Sequence, residues 1–155
     1  MASEFVTIGI FVLQISVMAL KITLKPKEKM IIDGAVITNG NNKCELIIEN
    51  SVPILRQKDI LSEEEADSPA RRIYFTIQLM YIDEENLALY HKNYWKLVKD
   101  FIQAAPRVLP LIDIISDYIL KDKYYQALKL AKDLIAYEKE AIEHAFETAA
   151  GLSDR

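Results

Sequence analysis

The side chains capable of chemistry in this chain are few and widely spaced. His144 follows Glu140 by one helical turn and adjoins Glu143, a fragment of a carboxylate–histidine metal set. A dinuclear centre needs Glu-x-x-His pairs from two helices plus further carboxylates, and no second copy occurs. His91 falls in an apolar helical stripe and reads as a core histidine bonded to backbone or to a tyrosine. Cys44 is the single cysteine, in a strand without a histidine near it in sequence, so it reads as packing. There is no glycine-rich phosphate loop and no paired acid and base. The reading is of a protein that is not an enzyme, with no metal and no cofactor.

What remains is cationic. Lys21, Lys25, Lys27, Lys29, Arg56 and Lys58 fall on or beside short strands, and Arg71-Arg72 stands next to Tyr74 and Phe75. Lysines on the wet face of a strand, with arginine near aromatic rings, suit a phosphodiester chain: the cations bind phosphate and the rings stack on bases. The competing roles are structural. Lysines also guard edge strands against aggregation, and the arginines can pair with the acidic residues just before them.

The whole chain gives a polyanion no general attraction, since its 155 residues carry a formal net charge of -4. The charge is uneven: residues 18–61 hold seven bases against five acids, and the rest is acidic. This length supports one domain, or two small units sharing a core. One cysteine excludes an intrachain disulfide and fits a reducing cytoplasm.

Leu20, Ile22 and Leu24 alternate with Lys21, Thr23 and Lys25, the period of a half-buried strand. Pro26-Lys27-Glu28 breaks it. Residues 29–37 read as a second strand with a bend at Gly34, Asn39-Gly40-Asn41-Asn42 as the hairpin turn, residues 44–49 as a third strand and 52–55 as a fourth. The expectation is a four-stranded antiparallel meander. Ser62-Glu63-Glu64-Glu65-Ala66-Asp67 is a solvated linker, placing boundaries at 18–61, 62–68 and 69–150. Beyond it the period becomes helical. Ser68-Pro69 starts a first helix to about Tyr81, with a strand as the alternative given its β-branched and aromatic content. Asp83 caps a second helix, whose stripe is Leu87, Tyr90, His91, Tyr94, Trp95, Val98, Phe101 and Ile102. Residues 108–120, apolar nearly all round, are expected to be the central buried helix. A fourth, from Tyr124, has a long seam interrupted only by Glu138 and is expected to outrun the domain. Tyr124, Tyr125 and Leu128 on it are candidate partner contacts.

Residues 1–17 are apolar but interrupted by Gln14, too short to span a bilayer comfortably, and lack a basic leader and cleavage site. They read as a non-native or misassigned extension before a start at Met18, with a membrane anchor as the lesser alternative.

The strings LKITLKPKE, IIDGAVITNG, ELIIEN, VPILRQKDIL, DSPARRIYFTIQLMY and YYQALKLAKDLIAYE, in that order, resemble the FlbT family of bacterial flagellin regulators. The resemblance runs from Met18 to about Glu140. It implies a post-transcriptional regulator of flagellum biogenesis that associates with the 5′ untranslated leader of flagellin mRNA and promotes its decay, working beside a small partner, FlaF. Residues 20–60 are also similar to CsrA, a dimeric translational repressor of interleaved strands. That likeness places Arg56 on an RNA-binding arginine and Lys25 on one of two basic positions in the first strand. It departs at Leu24, where the second basic residue would stand, and at Lys27, where a turn glycine would stand.

The combined expectation is an α+β fold: a small antiparallel, CsrA-like sheet followed by about four α-helices, cytoplasmic and homodimeric. Its RNA contacts would be Lys21, Lys25, Lys27, Lys29, Arg56, Lys58, Arg71 and Arg72. Its partners would be the flagellin mRNA leader, FlaF and flagellin, with no membrane and no small-molecule substrate. The rival expectation is a FlaF- or flagellin-binding chaperone or adaptor without intrinsic RNA affinity.

Overall fold

The structure is a computed structural model that describes residues 19–153; the expected extension at 1–17 and the start at Met18 lie outside them. Five short strands precede four helices, an α+β arrangement. The strands are β1 (Leu20–Leu24), β2 (Lys29–Ile32), β3 (Ala35–Thr38), β4 (Cys44–Ile48) and β5 (Ile54–Arg56). The helices are α1 (Pro69–Ile82), α2 (Leu87–Ala104), α3 (Leu109–Leu120) and α4 (Tyr124–Ser153).

The alternation read in β1 holds, with Ile22 and Leu24 buried and Lys21 exposed. The meander does not. β1 pairs with β4, and β2 lies between β3 and β5, giving two antiparallel sheets. The span read as one bent strand is a hairpin that reverses at Asp33-Gly34, both with positive φ (49° and 79°). Ile32 and Ala35 close it, the pattern of a two-residue hairpin turn. Residues 39–43 instead carry the chain from one sheet to the other, and Asn39 fastens that crossover by donating to the carbonyls of Lys25 (2.7 Å) and Asn42 (2.8 Å). Burial explains the choice. Stacking the β1–β4 pair over β2 covers Ile22 and Leu24 with Met30, Ile32, Ile37, Leu46, Ile48 and Ile54, whereas one flat meander leaves an open apolar face. Because β1 finds β4 within the same chain, this layer is completed without the strand exchange between subunits that the CsrA likeness implies.

The opposite face of the central sheet presents Ile31 and Leu55 to the helices, and both belong to the helical core. The three layers are thus β1–β4, β3–β2–β5, and helices. The centre of the helical layer is α1, which packs on both α2 and α4. Ala70, Ile73, Ile77 and Met80 are fully buried there. The helix expected at the centre, α3, leaves Leu109, Ile114 and Leu120 exposed; among the described residues its main helical neighbour is α4.

Side-chain locks hold the layers in register. Gln78 of α1 accepts from the Leu61 N–H (2.8 Å) and donates to the Leu61 carbonyl (2.9 Å). Glu138, the acid that interrupts the α4 seam, accepts from the Ser68 hydroxyl and from the Ala70 N–H (3.0 Å) at the start of α1. A carboxylate there satisfies free amides and sits at the positive end of the helix dipole. Tyr94 donates or accepts with Ser116 (2.8 Å) between α2 and α3, and burial raises its hydroxyl pKa to about 12.

Candidate nucleic-acid interface

The turn between β1 and β2 faces the end of β5 and the 3-10 turn after it, Gln57–Asp59. Between them lies a groove of about 770 Å³ lined by Lys25, Pro26, Lys27, Glu28, Arg56, Gln57 and Lys58. Four of the eight expected RNA contacts therefore meet at one place. They come from segments about thirty residues apart in the chain, joined because β5 pairs with β2 through Met30 and Arg56.

Glu28 organises the groove. Its carboxylate accepts from the Lys25 N–H (2.8 Å) and from the Arg56 guanidinium (2.7 Å), and its own N–H donates to the Lys25 carbonyl (3.1 Å). Arg56 also donates to the Thr23 carbonyl (3.1 Å), so it ties β5 to β1 across the sandwich, while its Nε is buried without an acceptor. The Lys25 amide first, and Arg56 second, hold the Glu28 carboxyl below its ordinary 4.5. Arg56 is thus largely spoken for by Glu28, which leaves Lys25, Lys27 and Lys58 as the net positive charge. All three are exposed, and among the described residues none of them forms an ion pair. Lys27 holds φ at 62°, in the left-handed region, at the position where the CsrA likeness implies a turn glycine.

The depressed Glu28 gives a pH expectation. A carboxylate whose folded pKa lies below its unfolded value contributes fully above the unfolded value and loses that contribution as pH falls through the folded one. Glu65 and Asp83 shift in the same direction, through the Ser62 amide and the Tyr90 hydroxyl respectively. Thermal unfolding followed from roughly pH 6 down to 3 should therefore show stability falling below the ordinary carboxylate range. Glu28→Gln should fall less steeply than the parent; identical acid limbs would show that the Glu28 contacts contribute nothing.

The other expected contacts lie elsewhere. Lys21 stands on the outer face of the β1–β4 pair, bonded to Glu45 at 3.0 Å. Lys29 is exposed at the start of β2, outside the groove lining, and its backbone N–H donates to Gln57 (2.7 Å). Arg71 pairs with Asp67 (3.1 Å) and Arg72 donates to the Ala66 carbonyl (3.3 Å), so both hold the acidic linker against the first turn of α1. Neighbouring Tyr74 is no stacking platform: it is buried, and its hydroxyl donates to the Asp59 carbonyl. Of the partner candidates, Tyr124 lies 3.2 Å from His91 Nε2 and donates to Asp122 (2.9 Å). Tyr125 is exposed, tilted against Tyr81 with ring centres 5.5 Å apart. Leu128 is buried in the core, where a partner cannot reach it.

Glu28 and Gln57 are groove residues that the pattern of cations alone does not reveal. The one sequence signal for Glu28 was its place three residues after Lys25, the spacing of a side chain that closes a turn on a backbone amide. Among the described residues no group of three or more His, Cys, Asp or Glu is placed to hold a metal ion, and no helix is long and apolar enough to cross a membrane.

Comparison with known proteins accounts for most of the chain. Residues 20–142 match the family model described as flagellar protein FlbT. A Bradyrhizobium diazoefficiens protein named probable flagellum biosynthesis repressor protein FlbT 1 is 45% identical over 123 residues, covering 79% of this chain and 84% of its own. A Caulobacter sp. (strain K31) protein named probable flagellum biosynthesis repressor protein FlbT is 38% identical, covering 82% of this chain and 98% of its own. The flagellum biosynthesis repressor protein FlbT of Caulobacter vibrioides is 36% identical, covering 82% and 92%. No solved structure matches. Matched from the first strand well into the last helix, this chain belongs to the FlbT family.

Proposed function

We propose that this protein represses flagellum biosynthesis after transcription, by binding the leader of flagellin mRNA through the groove between the β1–β2 turn and the end of β5. The observation that carries the reading is the convergence of Lys25, Lys27 and Lys58, each without an ion-pair partner among the described residues, around an Arg56 held by Glu28. Three ammonium groups along one rim track successive phosphates of a single strand, and the bound protein would block translation or expose the message to nucleases. Affinity is local to the groove, because the net charge of the whole chain opposes a polyanion.

The test is a titration of the full chain with a flagellin leader RNA at roughly 50 and 200 mM salt. Lys25→Ala and Lys58→Ala should each weaken binding about threefold, and each should flatten the log–log salt slope by roughly 0.7, the single-strand value per phosphate contact. Lys27→Gly removes charge while relaxing the left-handed turn, so lost affinity there cannot be ascribed to unfolding. Arg56→Ala is the poorer probe, since it also breaks the tie to β1. Binding that is unchanged in all three lysine variants overturns the reading.

A cleft of about 620 Å³, lined in part by Tyr81, Leu87, Tyr124 and Tyr125, favours the second reading, an adaptor that holds FlaF or flagellin. That reading predicts only sequence-blind RNA binding, together with capture of purified FlaF or flagellin that Tyr125→Ala abolishes.

A further inference from the structure

Among the described residues, no other element covers the stretch of α4 from Lys139 to Ala150. The helix is 30 residues long, and every residue from Lys139 to Ala150 is exposed. That stretch projects roughly 18 Å at the α-helical rise. It is not a polar spacer: Ala141, Ile142, Ala145 and Phe146 continue the apolar seam of the buried half, with Ile142 49% and Phe146 72% exposed. Glu140, Glu143 and Glu147 flank the seam on the Phe146 side, at three- and then four-residue steps.

A second apolar feature lies between α2 and α3. A groove of about 570 Å³ runs between α2 and α3, with Trp95, Val98 and Ile102 on one wall and Ile112 and Leu120 on the other. Trp95 is 42% and Leu120 68% exposed, values that a closed core does not leave on such side chains. Lys92, Lys96 and Lys99 flank the Trp95–Ile102 edge, at four- and then three-residue steps, all exposed.

The two charge stripes are complementary in sign and, when the helices run antiparallel, in spacing. Lys92, Lys96 and Lys99 then meet Glu147, Glu143 and Glu140 in that order, each stripe spanning about 10 Å. On both helices the charges lie on the same rotational side of the apolar seam, and those are the flanks that face each other in an antiparallel pair. Ala141 and Ala145, small residues on the opposite flank, allow a close approach to α3.

We propose that the occupant of the α2–α3 groove is the projecting end of α4 from a second copy of this chain. The contact is reciprocal: each copy supplies one projecting helix and one groove, so a two-fold dimer forms the same interface twice and buries Phe146, Ile142 and Trp95 in each half. A reciprocal pairing also closes the assembly, which keeps the exposed apolar seam from recruiting further copies. This interface is separate from the basic groove and does not rest on RNA binding.

Sedimentation of the full chain tests it by charge exchange. The parent should be dimeric. E143K/E147K and K92E/K96E should each raise the dimer dissociation constant at least about tenfold, and the chain carrying all four changes should return to near the parent value. All four positions are exposed, so melting temperatures should stay within a few degrees of the parent, which separates lost association from lost fold. Phe146→Ala should weaken the dimer without rescue by any charge change. A parent that stays monomeric overturns the proposal, as when α4 folds back on its own groove or when the groove belongs to another protein. So does a dimer indifferent to both reversals, or two reversals that weaken it without mutual rescue.

Discussion

Leu55→Ala should loosen strands and helices together, costing about 2–5 kcal/mol in a single cooperative unfolding transition. Leu55 is 1% exposed on the central strand layer and packs in the same cluster as Ile73, Tyr74 and Ile77 of the helices. Removing its branched end leaves a void at the seam between the layers, and close-packed neighbours relax only partly into it. The acidic stretch 62–68 is the boundary expected between a sheet region and a helical region, as one domain or as two small units sharing a core. The contacts of Leu55, together with Ile31 beside it, join the two sides in one core. Urea unfolding followed by far-ultraviolet circular dichroism at wavelengths weighted to sheet and to helix should therefore give coincident midpoints, displaced equally in the variant. A sheet signal lost at lower denaturant than the helical signal would show two separable units.

Gly34→Ala should destabilise by about 2–4 kcal/mol, while Gly40→Ala should be close to neutral. Gly34 holds φ at 79°, where a Cβ is strained, and an added Cβ would lie 3.0 Å from the carbonyl oxygen of Ile82 at the end of α1. The neighbour is backbone, so relief requires the β2–β3 hairpin to lift away from the helix. An added Cβ at Gly40 meets nothing within 4 Å. Paired thermal melts check the contrast, and equal losses at both positions would show that the close approach to Ile82 carries no cost. The comparison is informative because Asn39-Gly40-Asn41-Asn42 is the more conspicuous turn string, yet the conformationally demanding glycine is the other one.

The same contrast shows where local pattern stops. Asp33-Gly34 is itself a favoured hairpin pair, but Ile31-Ile32 and Val36-Ile37 flank it with so continuous an apolar run that the turn is hidden. Glu138 looked like a flaw in the α4 seam; its partners, Ser68 and Ala70, lie nearly seventy residues away in sequence. Arg71 and Arg72 beside Tyr74 looked like a base-stacking set. The competing structural role prevails there, because Asp67 and the linker carbonyls are only a few residues away and can be reached at little entropic cost.

Local residue chemistry determined the alternation of β1, the Ser68-Pro69 start of α1, the length of the α4 seam and the family to which the strings belong; Asp83 caps the 3-10 turn Glu84–Asn86 that leads into α2 rather than α2 itself. Each of those depends on neighbours within a turn or two of the chain, where backbone sterics and side-chain capping act directly. The partner of each strand, the helix at the centre and the set of lysines that share a groove were decided only by the tertiary structure. Those outcomes follow from which apolar faces cover one another, and burial is indifferent to the distance along the chain between the surfaces it joins. Lys25 and Lys58 meet because Ile31 and Leu55 needed the same core.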